Sequence, residues 1–182
     1  SSTMPDRFLI KGGIPLSGEV KISGYKNSAG ACLAAVLLSE EESILDNLPQ
    51  VTDVFDQIEI LKAMGAEVEW INSQKIKIKP ANIDPEKIPT NLFEKIRISV
   101  LLIGPLLARF KKLKIPHPGG DKIGLRPIDT LLDALKDFGV KIEEQEGFYY
   151  LETSGNLVGK SIVLKEFSVS ATEIVMMLAA LS

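Results

Sequence analysis

The chain has 182 residues, of which 45% are hydrophobic and 25% are charged, a composition typical of a soluble globular protein with one or two domains. The net charge of −3 and the pI near 5.3 argue against a nucleic-acid partner, because nucleic-acid binders usually carry basic patches. A single histidine leaves little room for a histidine-based metal site, and the single Cys32 cannot form an internal disulfide, which suits a reducing compartment.

The N-terminus lacks the pattern of a secretory signal, and residues 1–3, which precede Met4, are interpreted as a cloning scar. No apolar run in the chain approaches the roughly 18–20 residues that a membrane-spanning helix requires. We therefore expect a cytoplasmic protein without a membrane partner.

An apolar segment recurs along the chain at a fixed interval. Ser28, Ser99 and Ser170 are spaced by 71 residues, and each opens a segment that is predicted to be an apolar helix. The three predicted helices cover residues 28–38, 99–108 and 170–181. Because the first is apolar almost all round, we expect it to be buried on every side, with Cys32 as an inert core residue.

A second pattern follows each of the first two apolar helices. Residues 53–70 and 129–144 both begin with an amphipathic helix, which is predicted to end with a left-handed cap at Gly65 and at Gly139. Alternating strands are predicted after these caps, at 67–71, 75–79, 140–143 and 148–152. The pattern predicts a mixed α+β repeat with helices inside and sheets outside, whose third copy is incomplete at Ser182.

Two cations occupy the same position in the repeat. Lys26 and Arg97 each lie two residues before the helix serine, and Ser168 fills that position in the third copy. If the copies pack around a pseudo-threefold axis, their helix N-termini point toward one end, where unpaired N–H groups and the helix dipole favour an anion. Gly24 precedes Lys26 in a loop whose backbone could approach a phosphate closely. The alternative is that both cations are solvated charges in front of helices.

The segment 118–129 (PGGDKIGLRPID) combines glycine with charge. Its glycines and the side chains of Asp121, Lys122 and Arg126 predict a mobile loop that covers an acidic substrate. The alternative is a plain surface loop whose Asp129 caps the next helix. For Asp129 both interpretations stay open, whereas for Arg126 ligand binding is favoured.

These segments resemble the UDP-N-acetylglucosamine 1-carboxyvinyltransferases. The resemblance rests on residues 11–30 (KGGIPLSGEVKISGYKNSAG), on Arg97 within KIRISVLLIGPLLARF and on PGGDKIGLRPID, and it runs from Phe8 to Leu181. It implies a two-domain inside-out α/β barrel with three repeats of about 71 residues per domain, buried helices and outer mixed sheets. Residues 23–182 would form the first domain with its third repeat incomplete, and residues 4–22 would be strands of the second.

The resemblance also implies the reaction. Members of this family transfer enolpyruvyl from phosphoenolpyruvate to the 3-hydroxyl of UDP-N-acetylglucosamine and release phosphate, which is the first committed step toward peptidoglycan. The implied partners are these two small molecules and the missing C-terminal half of the same protein, and no metal or organic cofactor is implied. Because further substrate-binding residues of the family lie beyond residue 182, we expect the chain alone to be inactive.

Carried over position by position, the resemblance assigns roles to several residues. Lys26 and Asn27 match a pair that binds phosphoenolpyruvate, and Arg97 matches an arginine that contacts the nucleotide-sugar. Asp121 is the implied proton donor and is grouped with Lys26 and Arg126 as catalytic. The implied nucleotide-sugar site also includes Arg126, Pro127, Ile128, Asp129 and Thr130, together with Glu166, Phe167, Ser168 and Val169 near the uridine.

Two positions depart from the family pattern. Most members carry a cysteine where this chain has Asp121, and a minority carry aspartate, so insensitivity to the thiol-alkylating drug fosfomycin is expected. A carboxylic acid can donate the same proton if burial or nearby anions raise its pKa, although Lys122 would lower it. Members often carry lysine at the position of Glu166, and here Lys165 is displaced by one residue.

Two other functions fit the same sequence. The first is an enolpyruvyl transferase that acts on another hydroxyl substrate, such as shikimate 3-phosphate. The second is a non-catalytic paralogue that binds a nucleotide-sugar, which the aspartate at position 121 would allow.

Overall fold

The computed structural model describes residues 7–117, 128–153 and 157–182. The α-helices are α1 (Lys26–Ala35), α2 (Thr52–Met64), α3 (Thr90–Lys95), α4 (Ile103–Phe110), α5 (Asp129–Phe138) and α6 (Val169–Ala179). The strands are β1 (Ser43–Leu45), β2 (Glu67–Asn72), β3 (Lys75–Lys79), β4 (Lys112–Pro116), β5 (Val140–Gln145) and β6 (Phe148–Thr153). Short 3₁₀ helices cover Val36–Leu38, Pro85–Lys87 and Arg97–Leu102. None of the helices in these described ranges has the length and apolar character needed to cross a membrane.

The three apolar helices of the repeat form at the predicted places. The first begins at Lys26, the second at Arg97 and the third directly after Ser168, so the 71-residue interval holds in the structure. The second is divided into a 3₁₀ helix and α4. Pro105 lies in the first turn of α4 and has no N–H to donate to the carbonyl of Leu101, so a continuous α-helix cannot form its full ladder there.

The amphipathic helices end as predicted. α2 ends at Gly65, with φ of 113°, and α5 ends at Gly139, with φ of 107°, both in the left-handed region that glycine adopts without a steric penalty. In each case backbone N–H groups of the cap bond to carbonyls of the last helical turn. The two glycines therefore turn the chain from helix into the hairpin that follows.

Two three-stranded sheets have the same topology. Their strand orders are β1-β3-β2 and β4-β6-β5, and each consists of a hairpin plus one strand that follows the preceding helix. All pairs among the described strands are antiparallel, so the prediction of mixed sheets was wrong for this part of the chain. A parallel neighbour would require a further strand on a sheet edge, and the described residues supply none.

Residues 7–24 form no helix and no strand. Phe8, Leu9 and Leu16 are more than 90% exposed. The strands predicted over 4–22 are therefore absent from the described part, residues 7–22. Strands are stabilised by pairing with a neighbour, and these residues have no hydrogen-bonded partner strand within the described ranges. Their assignment to a second domain remains a prediction.

One core joins the helices to the inner faces of the sheets. The strands contribute alternate residues such as Ile76 and Ile78, whose lysine neighbours face outward, and α4 is almost wholly buried. The predicted arrangement, with the helices inside and the sheets outside, is thus confirmed for α4.

Helix α1 is not buried on every side, contrary to the prediction. Its buried residues lie toward α2 and the 3₁₀ helix at Arg97–Leu102, while Ser28, Cys32 and Ala35 are exposed. Because small residues give α1 no strongly apolar stripe, the sequence did not show which side faces solvent. The prediction that Cys32 is a core residue was therefore wrong.

Candidate functional site

The loop before α1 fits only glycine at one position. A Cβ atom on Gly24 would overlap the carbonyl oxygen of Asn47 and lie 3.0 Å from Cδ of Pro49. The close backbone approach that the sequence suggested for a phosphate is made here to the chain's own loop. This contact fixes where residues 23–25 lie and hence where α1 begins.

A lysine–aspartate pair joins the starts of α1 and α2. Lys26 Nζ donates to Asp53 Oδ2 at 2.9 Å, and the two side chains are 46% and 34% exposed. Such an exposed pair adds little to stability, but it holds the ammonium group beside the first turn of α2. From the sequence, Asp53 was expected only at the start of an amphipathic helix. The sequence did offer one signal for this pair, namely an acidic residue at the start of the helix that follows Lys26 in the same repeat.

The N-terminus of α1 keeps its donors available. Tyr25 precedes the helix in an extended conformation, and no side chain caps its first N–H groups. Asn27 Nδ2 donates to the Tyr25 hydroxyl at 3.0 Å. Uncapped N–H groups at the start of a helix are favourable for a bound anion, and the role of Lys26 and Asn27 in binding one stays a prediction.

Arg97 opens the 3₁₀ helix that contacts both α1 and α6. Its side chain is exposed, whereas its neighbours Ile96 and Ile98 are buried and anchor the backbone in the core. The structure therefore places the two cations at the starts of two helices in contact.

A second cluster lies at the start of α5. Asp129 is the first residue of the helix and is exposed, and Ile128 and Thr130 are half-buried. Ile128 occupies the N-cap position and no side chain caps the helix, so the alternative in which Asp129 caps it was wrong. As a first-turn carboxylate, Asp129 still interacts favourably with the helix dipole.

Lys165, the residue before the predicted uridine segment, pairs with α5. Lys165 Nζ donates to Asp133 Oδ2 at 2.7 Å, and this bond lowers the pKa of Asp133 and raises the pKa of Lys165. The lysine that is displaced by one residue from the family pattern is thus held by α5. Glu166 therefore follows directly after a residue that is joined to the helix beginning with Asp129.

The start of α6 is capped. Ser168 is its N-cap residue, and the Ser168 Oγ accepts a hydrogen bond from the N–H of Ala171 at 3.2 Å. On either side, Phe167 is 96% exposed and Val169 is 61% exposed, and Glu166 is exposed as well. The segment therefore presents accessible side chains at both ends of the cap.

Three predicted site residues, Asp121, Arg126 and Pro127, lie outside the described residues, as do Lys122 and the rest of 118–127. The last described residue before them is held in place. The His117 ring stacks on Tyr149 with centroids 4.4 Å apart, and its Nε2 lies 3.1 Å from Glu144 Oε1. Burial raises the pKa of Tyr149, with smaller contributions from the charges of Glu144 and Asp129.

A shallow cleft of about 270 Å³ runs beside α1 and is lined in part by Tyr25, Ser28 and Cys32. None of Lys26, Asn27 and Arg97 lines it, so we do not identify it with the candidate site. Across 7–117, 128–153 and 157–182, no three His, Cys, Asp or Glu side chains are grouped as metal ligands.

Comparison with known proteins gives consistent matches. A family model described as EPSP synthase (3-phosphoshikimate 1-carboxyvinyltransferase) matches residues 10–182. A UDP-N-acetylglucosamine 1-carboxyvinyltransferase from Treponema denticola is 42% identical over 175 residues, 96% of this chain, and one from Helicobacter pylori is 40% identical over 177 residues, 97% of this chain. The chain spans 41% and 42% of the length of these two relatives.

Solved structures share the fold. The enolpyruvyl transferase NikO from Streptomyces tendae superposes with a TM-score of 0.72 at 21% identity, over 91% of this chain and 39% of that one. An EPSP synthase from Acinetobacter baumannii gives a TM-score of 0.67 at 16% identity, over 88% and 37% of the two chains. With the family model matched over residues 10–182, the chain belongs to the EPSP synthase family of enolpyruvyl transferases and is a homologue of the UDP-N-acetylglucosamine 1-carboxyvinyltransferases.

Proposed function

We propose that this chain forms part of an enzyme that transfers enolpyruvyl from phosphoenolpyruvate to the 3-hydroxyl of UDP-N-acetylglucosamine and so begins peptidoglycan synthesis. The observation that carries the proposal is the identity of 40% and 42% to transferases named for that substrate, over nearly the whole chain. Because the chain spans about two fifths of those relatives, the activity is proposed for the full-length protein.

The reaction requires an acid and a base that act one after the other. The sugar hydroxyl adds to C2 of phosphoenolpyruvate while C3 takes up a proton, which gives a tetrahedral ketal phosphate. Loss of a proton from C3 and of phosphate from C2 then gives the enolpyruvyl ether. A positioned acid and cations that stabilise the phosphate and carboxylate charge are therefore the groups that such a site needs.

The start of α1 suits the phosphoenolpyruvate anion. Lys26 supplies a positive charge that Asp53 holds at 2.9 Å, and the uncapped N–H groups of α1 supply further donors. Asn27 lies in the same first turn and supplies an amide. Arg97 would then bind the nucleotide-sugar, because it opens the neighbouring helical segment and its side chain is exposed.

The nucleotide end of the substrate would lie along α5 and α6. The proposed binding residues are Arg126, Pro127, Ile128, Asp129 and Thr130, with Glu166, Phe167, Ser168 and Val169 around the uridine. Support comes from the Lys165–Asp133 pair, which joins the residue before the second of these segments to the helix that the first one opens. Since Asp133 holds Lys165, the uridine contacts would come from the backbone and from the exposed side chains at 166–169.

Asp121 is the proposed proton donor in place of a cysteine. If so, fosfomycin leaves the full-length protein active, because no thiol is present at that position to be alkylated. Asp121→Cys would stay active and become inactivated with time, with a covalent mass increase on the peptide that contains residue 121. Asp121→Asn, which cannot donate the proton, is the matched inactive control. Covalent modification of the unaltered protein on that peptide would contradict this role.

Phosphate release tests the reaction directly. Phosphoenolpyruvate is supplied with and without UDP-N-acetylglucosamine, both to this chain and to the full-length protein. We expect release only from the full-length protein and only when the nucleotide-sugar is present, because this chain spans about two fifths of the relatives' length. Absence of release from the full-length protein, with intact folding, would overturn the proposal in favour of a nucleotide-sugar-binding paralogue.

A second candidate is the same transfer to shikimate 3-phosphate. The matching family model carries the name of that activity, and EPSP synthases are among the structures that share the fold. Supplying shikimate 3-phosphate in the same phosphate-release assay separates the two. We expect no release with it, since the relatives at 40% and 42% identity are named for the nucleotide-sugar.

A further inference from the structure

Two buried polar side chains hold the backbone on either side of Arg97. The Ser99 Oγ lies 2.7 Å from the carbonyl oxygens of Ile96 and Phe93, to which its hydroxyl donates. The Gln57 Nε2 donates to the carbonyl of Ile98 at 3.5 Å. Both side chains are fully buried, whereas Arg97 itself is exposed. The peptide group before Arg97 and the peptide group after Ile98 thus have hydrogen-bond donors from inside the protein.

Ser99 connects the end of α3 to the 3₁₀ helix. Its single hydroxyl proton is shared between the two carbonyls, a three-centre arrangement in which both remain satisfied. Phe93 lies on α3, and Ile96 is the residue at which the chain leaves that helix in an extended conformation. Ser99 therefore sets the direction in which the chain enters Arg97.

Unlike Ser99, Gln57 is only partly satisfied in its hydrogen bonding. Its amide is fully buried on α2, its one hydrogen bond is long, and its Oε1 has no partner among the described residues. A buried amide that is only partly satisfied destabilises a fold compared with an apolar side chain of the same size. Stability therefore does not explain a glutamine here, whereas a contact with the carbonyl of Ile98, the residue after Arg97, does.

We infer that Gln57 and Ser99 are positioning residues for Arg97, which they hold in one backbone orientation so that its guanidinium meets the nucleotide-sugar without rearrangement. This inference rests on the proposed function. Binding groups that are held in place before the ligand arrives lose less conformational freedom when it binds. Gln57 and Ser99 act through Arg97 and do not touch the substrate themselves.

The test uses Gln57→Met in the full-length protein, because methionine has a similar volume and no donor. We expect kcat/KM for UDP-N-acetylglucosamine to fall about tenfold. We expect the melting temperature to stay within about 3 °C or to rise, since a partly satisfied buried amide is removed. Gln145→Met, an exposed glutamine on β5, is the matched control and should change neither quantity. A loss of melting temperature well beyond this range would show that Gln57 is structural and would overturn the inference.

A double-mutant cycle decides whether Gln57 acts through Arg97. On an Arg97→Ala background, Gln57→Met should lower kcat/KM by less than about twofold, because the guanidinium it positions is gone. An equal tenfold loss on both backgrounds, or no loss on the unaltered background, would overturn the inference. Ser99→Ala should show the same coupling to Arg97, and Ser99→Thr, which keeps the hydroxyl, should recover part of the activity. Inactivity of the unaltered protein would instead refute the proposed function.

Discussion

The starts of α1 and α6 occupy the same position in the repeat and differ in what fills it. At α1 the residue is Lys26, and no side chain caps the helix. At α6 it is Ser168, whose hydroxyl accepts a hydrogen bond from the N–H of Ala171. One helix start therefore keeps its donors and adds a positive charge, whereas the other uses a donor for its own cap.

The starts of α1 and α6 are each joined to a neighbouring helix by an ion pair. Lys26 pairs with Asp53 of α2 at 2.9 Å, and Lys165 pairs with Asp133 of α5 at 2.7 Å, so each apolar helix is joined at its start to a neighbouring amphipathic helix by a lysine and an aspartate. A lysine–aspartate pair thus accompanies both starts, with the helix that follows α1 and with the helix that precedes α6, while the residue at the helix start differs. Under the proposed function, the charged start receives the phosphoenolpyruvate anion and the capped start receives the uncharged uracil and ribose.

Removing the charge at α1 should have the largest effect. Lys26→Met in the full-length protein is expected to lower kcat/KM for phosphoenolpyruvate by about a hundredfold or more, because a positive charge next to the reacting phosphate is lost. Lys62→Met, on the exposed side of α2, is the matched control and should stay near the unaltered value. Steady-state phosphate release measures both. A loss as small as that of the control would remove the distinction between the two helix starts.

Gly24 fixes the position of the α1 start, and the residue at the same repeat position before α6 is Glu166. Gly24→Ala should lower the free energy of unfolding by about 1–3 kcal/mol, because the added Cβ overlaps the carbonyl oxygen of Asn47 and the backbone has to move. Gly159→Ala is the control, since a Cβ there meets nothing within 4 Å. Urea denaturation of the two variants, compared with the unaltered chain, measures the difference. Equal stability of all three would show that the loop accommodates a side chain.

The repeat made much of the fold predictable from sequence. The interval between Ser28, Ser99 and Ser170 located three helices, and the glycines at 65 and 139 located two caps, because glycine is favoured at a left-handed cap. These features are set by local sequence. They could be predicted without knowing which helices and strands pack against each other.

Other features depend on partners that the sequence does not name. The exposure of Cys32 is decided by which helices cover α1, and a helix built largely of small residues gives little indication of this. The pairing of Lys26 with Asp53 spans 27 residues, and the hydrogen bond from Gln57 to Ile98 spans 41. Such contacts follow from the packing of α2 against α1 and the 3₁₀ helix, which the repeat alone did not specify.

Removing the cap at α6 should have a smaller effect than the change at Gly24. Ser168→Ala is expected to lower the free energy of unfolding by about 1 kcal/mol, because the N–H of Ala171 loses its acceptor. Ser170→Ala, an exposed serine in the same turn, is the matched control and should stay within about 0.5 kcal/mol of the unaltered chain. If both variants were equally stable, the hydroxyl of Ser168 would not be used as a cap, and the contrast with α1 would be lost.

Breaking the Lys165–Asp133 pair should give the smallest change and should appear as a shift in titration. The hydrogen bond from Lys165 lowers the pKa of Asp133, so the pair contributes stability above the ordinary carboxyl range and loses it as the pH falls through the lowered value. In Lys165→Met the pKa of Asp133 should rise toward the usual aspartate value of about 3.9, and this contribution should disappear. Carboxyl ¹³C NMR titration follows the change, with Lys160→Met as the control because Lys160 donates to the backbone carbonyl of Asp137 instead. An unchanged titration of Asp133 would mean that the pair does not persist in solution, and the connection common to α1 and α6 would then hold only at α1.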